Sequence, residues 1–370
     1  MRSTVPFFAV AVLVAACGGG GSDTDEAADD TAAEEEAEGS EGDDASGDGD
    51  GGGEEVTLSY AFFAPEVTFP GVQMQEWAEE LNARTDTEVT VELFAGGTLL
   101  GAGDIFDGVT EGVADVGMDS PAYDVGRFPL SAAVALPIGF ENSQAASHAM
   151  FDLLEEFQPE EFAGYEIITA FTTEPAHLQT VDPVASRDDL AGMELRSAGA
   201  GVPSLEALGA APVGMPMPDV VEAVQTGVIE GYMSSREVLQ DFQLAEHVNY
   251  VTDYAFGISN TFVAVMDQER YDALPEDVKT AIGELKREMT AFASQYHDEE
   301  NVGSALEFAA DEHGVETVEL SDEERQAWDS TLEGMVDDWH QRASEAGIDA
   351  DAVLERLYEL RDQYNEEFAS

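Results

Sequence analysis

The stretch "MELRSAGAGVPSLEALGAAPVGM" (Met193–Met215) holds two strand-like runs with a short helix pattern between them. Met193–Arg196 alternates apolar with polar, Pro203–Leu208 carries helix formers behind a glycine-rich turn, and Pro212–Met215 is extended again. A strand, a crossover helix and a second strand in such close succession predict a parallel βαβ unit. The same stretch poses a chemical question. Arg196 ends the first run in a chain with 79 acidic residues and 14 lysines and arginines. A guanidinium stays charged in a protein and offers five donors in a fork that suits a carboxylate. Alternation puts it on one face with Glu194, and a same-face ion pair at a surface is worth little. Its place at the C-terminal end of a strand, before a helix beginning near Val202, is also where open α/β sheets bind anionic ligands. The residues alone support both readings.

Outward from this unit the pattern repeats. Val56–Phe63 and Thr87–Phe94 read as strands around a helix faced by Val72, Met74, Trp77, Ala78 and Leu81. Further on come a helix near Gln144–Phe157 and a strand near Tyr165–Phe171, then a helix over Pro218–Gln225 and a strand over Val228–Met233. Strands alternating with helices predict an α/β fold with parallel sheets, and 370 residues suffice for two domains. The last third reads differently. Val278, Ile282, Leu285, Met289, Phe292 and Tyr296 mark one face of a long helix opened by Pro275. Trp328, Leu332, Met335 and Trp339, then Val353, Leu357, Leu360 and Tyr364, predict further helices packed on the α/β body.

The first seventeen residues, "MRSTVPFFAVAVLVAAC", join one positive charge to an apolar run and small residues before Cys17, the only cysteine. That is the layout of a secretory signal, and Val14-Ala15-Ala16-Cys17 resembles the lipobox at which bacterial lipoproteins are lipidated. An ordinary signal peptide with an incidental cysteine is the alternative. Residues 18–55 are Gly, Ser, Ala, Asp and Glu apart from Thr24 and Thr31, with no aromatic or basic residue. Such a segment is expected to be a disordered acidic linker spanning roughly 35 Å as a flexible coil.

A formal charge of -65 excludes sequence-independent nucleic-acid binding, which needs clustered lysine and arginine. The six histidines have no i,i+4 pair and no second cysteine beside them, so neither a zinc site nor any other metal is expected. "AGGTLLGAGD" (Ala95–Asp104) lacks the Lys-Ser/Thr ending of a phosphate-binding loop, and the chain has no nucleophile elbow. No nucleophile–base–orienter set stands out, so the reading is a binding protein without cofactor rather than an enzyme.

Asp188–Gly231, "DDLAGMELRSAGAGVPSLEALGAAPVGMPMPDVVEAVQTGVIEG", resembles the central signature of the DctP-type substrate-binding proteins of TRAP transporters. "VELFAGGTLLGAGDIFDGVTEGVADVGMDSPAY" (Val91–Tyr123), "GRFPLSAAVALPIGFENS" (Gly126–Ser143) and "FVAVMDQERYDALPEDVKTAI" (Phe262–Ile282) extend the likeness, in order, over roughly Val56 to Leu320. The resemblance implies a two-lobed, periplasmic-binding-protein-like fold of type II with a hinge and a long helix spanning both lobes. Lobe 1 would run over about 56–177 with C-terminal returns, lobe 2 over about 178–265, and the spanning and C-terminal helices over about 268–368.

By the same resemblance Arg196 is the arginine that clamps a substrate carboxylate. Met217 stands where the family often has an aromatic residue, and Ser234 where it often has asparagine. A second arginine found in some members is missing from "EPAHLQT". These departures imply a different, smaller or less polar monocarboxylate, with Arg236 and His177 as candidates for a second polar contact. Tyr60, Ser120, Tyr123 and Phe140 are the expected contacts from the first lobe. The partners implied are a small organic acid and the TRAP permease subunits, with the membrane reached only through the lipid and a monomer expected outside it. An ABC-type binding protein or a ligand-sensing co-receptor would share the architecture, whereas a secreted hydrolase would need a catalytic set that the chain lacks.

Overall fold

The computed structural model describes residues 55–369; the signal segment, Cys17 and the acidic stretch up to residue 54 lie outside them. Eleven strands follow in chain order: β1 (Glu55–Phe62), β2 (Glu88–Phe94), β3 (Val116–Asp119), β4 (Tyr165–Thr172), β5 (His177–Thr180), β6 (Glu194–Ser197), β7 (Ala211–Gly214), β8 (Gly231–Ser234), β9 (Tyr250–Asp253), β10 (Thr261–Asp267) and β11 (Glu316–Glu319). They form two sheets, β2-β1-β3-β10-β4 and β11-β9-β5-β8-β6-β7, one in each lobe. β1 runs parallel to both β2 and β3, and β6 runs parallel to both β7 and β8, as crossover helices require. Each sheet takes in one antiparallel strand at its switch of lobes: β10 in the first and β5 in the second.

Two features depart from the sequence partition. β10 was assigned in part to the second lobe, but it pairs with β3 and β4 and completes the first sheet. Its run Phe262–Met266 is buried on both faces, which only a central strand satisfies. In the helical C-terminal third, Glu316–Glu319 forms β11, a short edge strand parallel to β9. Its side chains are mostly exposed, so hydropathy gave it no signal.

The chain crosses between lobes on adjacent segments. Thr173–Ala176 leaves β4 for β5, and Phe256–Asn260 returns to β10, the two joined by a bridge between Pro175 and Ile258. Beside them runs the spanning helix. Its first part, Glu276–Tyr296, packs on β4 and on the helices Phe69–Arg84 and Ser143–Phe157, whereas Val302–His313 packs on the second lobe at Val238–Asp241. Between them, His297–Asn301 winds as a π-helical turn, a feature frequent at functional sites.

That turn meets a buried ion pair. The Glu174 carboxylate accepts hydrogen bonds from the Arg236 backbone N–H at 2.8 Å, from Nε at 2.9 Å and from Nη2 at 2.6 Å. Burial alone would raise Glu174, yet the Arg236 hydrogen bonds and charge hold it below the usual carboxylate range. The Glu174 N–H donates to His297 Nε2 at 3.0 Å, so the imidazole is neutral with its proton on Nδ1, and burial lowers it to about 4.

The first lobe buries one large core on both faces of its sheet, including Trp77, Phe171 and, from the C-terminal helices, Trp339 and Leu357. The second sheet carries one core on each face: Leu178, Leu195 and Trp328 in one cluster, Val220, Tyr232 and Leu239 in the other. Trp328 is fully buried against Tyr254 and Phe256, tying the returning helix Asp322–Leu332 to the second lobe. We expect Trp328→Ala to lower the stability of the folded chain by about 3–5 kcal/mol in urea unfolding. A loss below about 1 kcal/mol would mean that this helix contributes little to the lobe.

Candidate functional site

A cleft with about 460 Å³ of empty space, the open solvent at its mouth included, lies between the lobes. Its first-lobe wall comes from the end of β1 (Phe62, Phe63), the start of the following helix (Thr68, Phe69), Tyr123 beyond β3, and Phe262. Its second-lobe wall comes from the ends of β6 (Arg196, Ala198) and β8 (Ser234, Ser235), together with Met217, Glu237, Val238, Asp241 and Phe242; Thr173, Ser259 and Asn260 close it at the crossing segments. The site thus sits beyond the carboxyl ends of the parallel strands, where the crossover topology leaves a crevice.

Arg196 is the only buried arginine among the described residues, 3 % exposed. β6 delivers it there by carrying it to the buried end of the strand: Glu194, on the same face two positions back, is exposed at the strand's start, where its N–H bonds Glu230, and does not pair with Arg196. Arg196 Nε donates to the Met215 carbonyl at 2.9 Å, which fixes the plane of the guanidinium. The Tyr123 phenol lies beside it, and no carboxylate among the described residues reaches salt-bridge distance. Burial holds the guanidinium below the ordinary arginine range, with Tyr123 opposing that shift, but an arginine so placed is still a cation. An unpaired buried charge is costly, and an entering anion removes the cost.

The lobes touch beside this charge. The Met217 N–H donates to the Tyr123 hydroxyl at 3.2 Å across the cleft. Gly199, at φ +49°, brings the turn after β6 so close that a Cβ there would stand 2.9 Å from the Ala122 methyl of the first lobe. Only glycine suits both the left-handed backbone and that approach.

Of the residues expected from the sequence, Arg196, Met217, Ser234 and Tyr123 meet in this cleft. Ser120 stands behind its wall, donating a short hydrogen bond to Asn260 Oδ1. Four others are placed elsewhere. Tyr60 is fully buried in the first-lobe core, edge-on to Trp77, because it lies inside β1 between Leu93 and Val116, two residues short of the strand end where Phe62 and Phe63 line the cleft. Phe140 belongs to the same core. His177 lies in the middle of the second sheet opposite Ser234, with Nδ1 3.4 Å from the Thr252 carbonyl oxygen. Arg236 is committed to Glu174 and has no free fork to offer.

The sequence reading missed Phe62, Phe63, Phe69 and Phe262, although the strand-end rule that selected Arg196 applies equally to "AFF" at the end of β1. It also missed Glu237 and Asp241, which carried no signal among so many acids. Burial raises Glu237 well above the usual carboxylate range, aided by the neighbouring Asp241 and Glu174 charges, and raises Asp241 to about 7. For Asp241 the folded chain keeps a proton that the unfolded chain releases near 3.8, so its contribution to stability falls as pH rises from about 4 to 7. Asp241→Asn removes this penalty. Urea unfolding at a series of pH values is expected to show the variant gaining on the parent across that interval, with no further gain above it. A pH-independent difference would mean that Asp241 titrates normally.

Comparison with known proteins places this geometry in a family. Residues 61–342 match the DctP family, described as bacterial extracellular solute-binding protein, family 7. The C4-dicarboxylate-binding periplasmic protein DctP of Rhodobacter capsulatus is 29% identical over 181 residues, which cover 48% of this chain and 51% of that protein. The chain thus spans about half the length of that relative. A TRAP periplasmic solute-binding protein from Desulfovibrio salexigens is 40% identical with a TM-score of 0.74, covering 84% of this chain and 96% of that one. It was crystallised as an open complex with the C-terminus of a symmetry mate in its ligand-binding site. A marine metagenome TRAP solute-binding protein specific for aromatic acids, complexed with metahydroxyphenylacetate, is 28% identical with a TM-score of 0.79, covering 84% and 99%. With the family matched over most of its length and its two lobes closing on a buried arginine, the chain belongs to the DctP family of bacterial extracellular solute-binding proteins.

Proposed function

We propose that the protein is the extracytoplasmic receptor of a TRAP-type secondary transporter and captures a small monocarboxylate with an apolar, ring-sized body between its lobes. The observation that carries this reading is Arg196, a buried cation without a carboxylate partner in the wall of an enclosed cleft. A ligand carboxylate would form a charge-assisted, bidentate pair with its Nη groups, leaving Nε on Met215. Phe62, Phe63, Phe69, Phe242, Phe262 and Met217 supply the apolar surface for the rest of the ligand, the usual lining of a small-molecule site. The relatives agree with this chemistry: one takes aromatic acids, and another was crystallised holding a chain terminus, which ends in a carboxylate.

Ligand bridging the lobes favours the closed arrangement, and the permease reads that form. The role is binding, with no catalytic step. The N-terminal residues fit delivery to a membrane partner: cleavage before Cys17, a lipid on that cysteine, and an acidic tether over residues 18–54 that keeps the receptor at high effective concentration near the permease.

The test is a thermal-shift and titration screen of the mature chain against monocarboxylates, dicarboxylates, sugar acids and neutral polyols. A ligand at about a hundred times its dissociation constant adds roughly 2.7 kcal/mol of stability. Carboxylates are expected to stabilise the protein, and Arg196→Gln to weaken their binding at least about 100-fold with an unchanged circular dichroism spectrum. Polyols binding where acids do not, or unchanged affinity in the variant, would overturn the clamp.

A further inference from the structure

The cleft has a second charged pole that the carboxylate clamp leaves unused. Glu237 and Asp241, four positions apart, both line it. Glu237 is 4 % exposed; its Oε1 accepts from the Ser235 hydroxyl at 2.8 Å, while its Oε2 is buried with no hydrogen-bond partner. His297 Nε2 lies 3.9 Å away and already accepts the Glu174 N–H, so it has no proton to give. Asp241 repeats the arrangement in part: Oδ1 accepts from Asn301 Nδ2 at 3.1 Å, and Oδ2 is buried without a well-formed hydrogen bond, the Phe69 backbone N–H being the protein donor beside the carboxylate. No lysine or arginine among the described residues pairs with either carboxylate.

Buried carboxylate oxygens normally find donors, and two orphans in the wall of a ligand cavity point to donors brought by the ligand. We propose that the ligand is a zwitterion, its carboxylate on Arg196 and an ammonium group on Glu237 and Asp241. This rests on the preceding reading of Arg196. An ammonium has three donors and no acceptor, matching Glu237 Oε2 and Asp241 Oδ2 with one donor left for a neutral group such as Asn260. Charge also balances: guanidinium with carboxylate, and ammonium with two acids that share one proton. A plain monocarboxylate would satisfy Arg196 but bring no donor to either acid. A metal ion fits less well, since among the described residues no third His, Cys, Asp or Glu completes a metal-binding group.

Calorimetric titration of the full mature chain with matched pairs tests this: phenylacetate against phenylglycine, meta-toluate against meta-(aminomethyl)benzoate, and hexanoate against ε-aminohexanoate. At least one amino-bearing member is expected to bind about tenfold or more tighter than its parent acid. Glu237→Gln is expected to erase the difference within that pair. Should that variant not fold, Asp241→Asn carries the same comparison. If every parent acid binds as tightly as its amino counterpart, while Arg196→Gln abolishes binding of both, the clamp stands and the zwitterion assignment falls. If meta-hydroxybenzoate outbinds meta-(aminomethyl)benzoate and every other amino acid tested, the two acids serve as neutral hydrogen-bond partners and the ammonium assignment falls. If no carboxylate of either kind binds, both readings fall together.

Discussion

The chain passes between the lobes four times, at Thr173–Ala176, at Phe256–Asn260, at the turn His297–Asn301 and again after Leu332, and one ion pair sits where the first three meet. Glu174 lies on the outgoing segment, Arg236 follows β8 in the second lobe, and His297 lies on the π-helical turn of the spanning helix. The carboxylate takes three hydrogen bonds from one arginine, which is what keeps it charged inside the protein. Removing Arg236 would strand the buried Glu174 charge, a loss of several kcal/mol, whereas the intact pair contributes more to geometry than to net stability. The same residues position the cleft. Glu237 follows Arg236 directly, and Ser259 and Asn260 lie on the returning segment opposite Glu174. The floor of the site is therefore the hinge itself, so a ligand resting on it touches the segments that must bend when the lobes move.

Charge inside the cleft contrasts with charge outside. The surface is overwhelmingly acidic, and most arginines are engaged with carboxylates: Arg84 with Glu80 and Glu288, Arg127 with Asp107 and Asp124, Arg356 with Glu156 and Glu359. Such exposed pairs are screened by salt and contribute little individually. Arg187 and Arg342 also lack a carboxylate partner among the described residues but stand in solvent, whereas Arg196 is sealed from that acidic surface behind Tyr123 and Met217. A strongly negative exterior slows anionic ligands at low ionic strength, and salt within a Debye length of about 10 Å removes that barrier. Recognition then depends on the short-range fork of one guanidinium rather than on a long-range positive field.

Much of the architecture was legible in the sequence because periodicity is a local property. The parallel units around Arg196, the helix from Pro275 and the helices faced by Trp328 and Leu357 follow from apolar spacing alone. Where spacing carried no signal, the reading failed. β11 is short and exposed on a sheet edge, and β10 joins the first sheet through partners far away in the chain. Within the site, strand-end position pointed to Arg196 and the family resemblance to Ser234, but how deep each residue of β1 lies could not be read locally. Tyr60, expected in the cleft, is inside the strand and in the core, while Phe62 and Phe63 at its end line the cleft.

The sequence by itself determined the class of fold, the family signature over Asp188–Gly231 and the arginine at a strand's C-terminal end. These depend on residue type and local order, which the chain states directly. Only the tertiary structure decided that Glu194 leaves Arg196 unpaired, that Arg236 is spent on Glu174, and that Glu237 and Asp241 alone of the many acids share the ligand cleft. Those outcomes depend on distance and desolvation. Two identical carboxylates differ in chemistry once one is in water and the other is buried without a donor, and no local pattern records which is which.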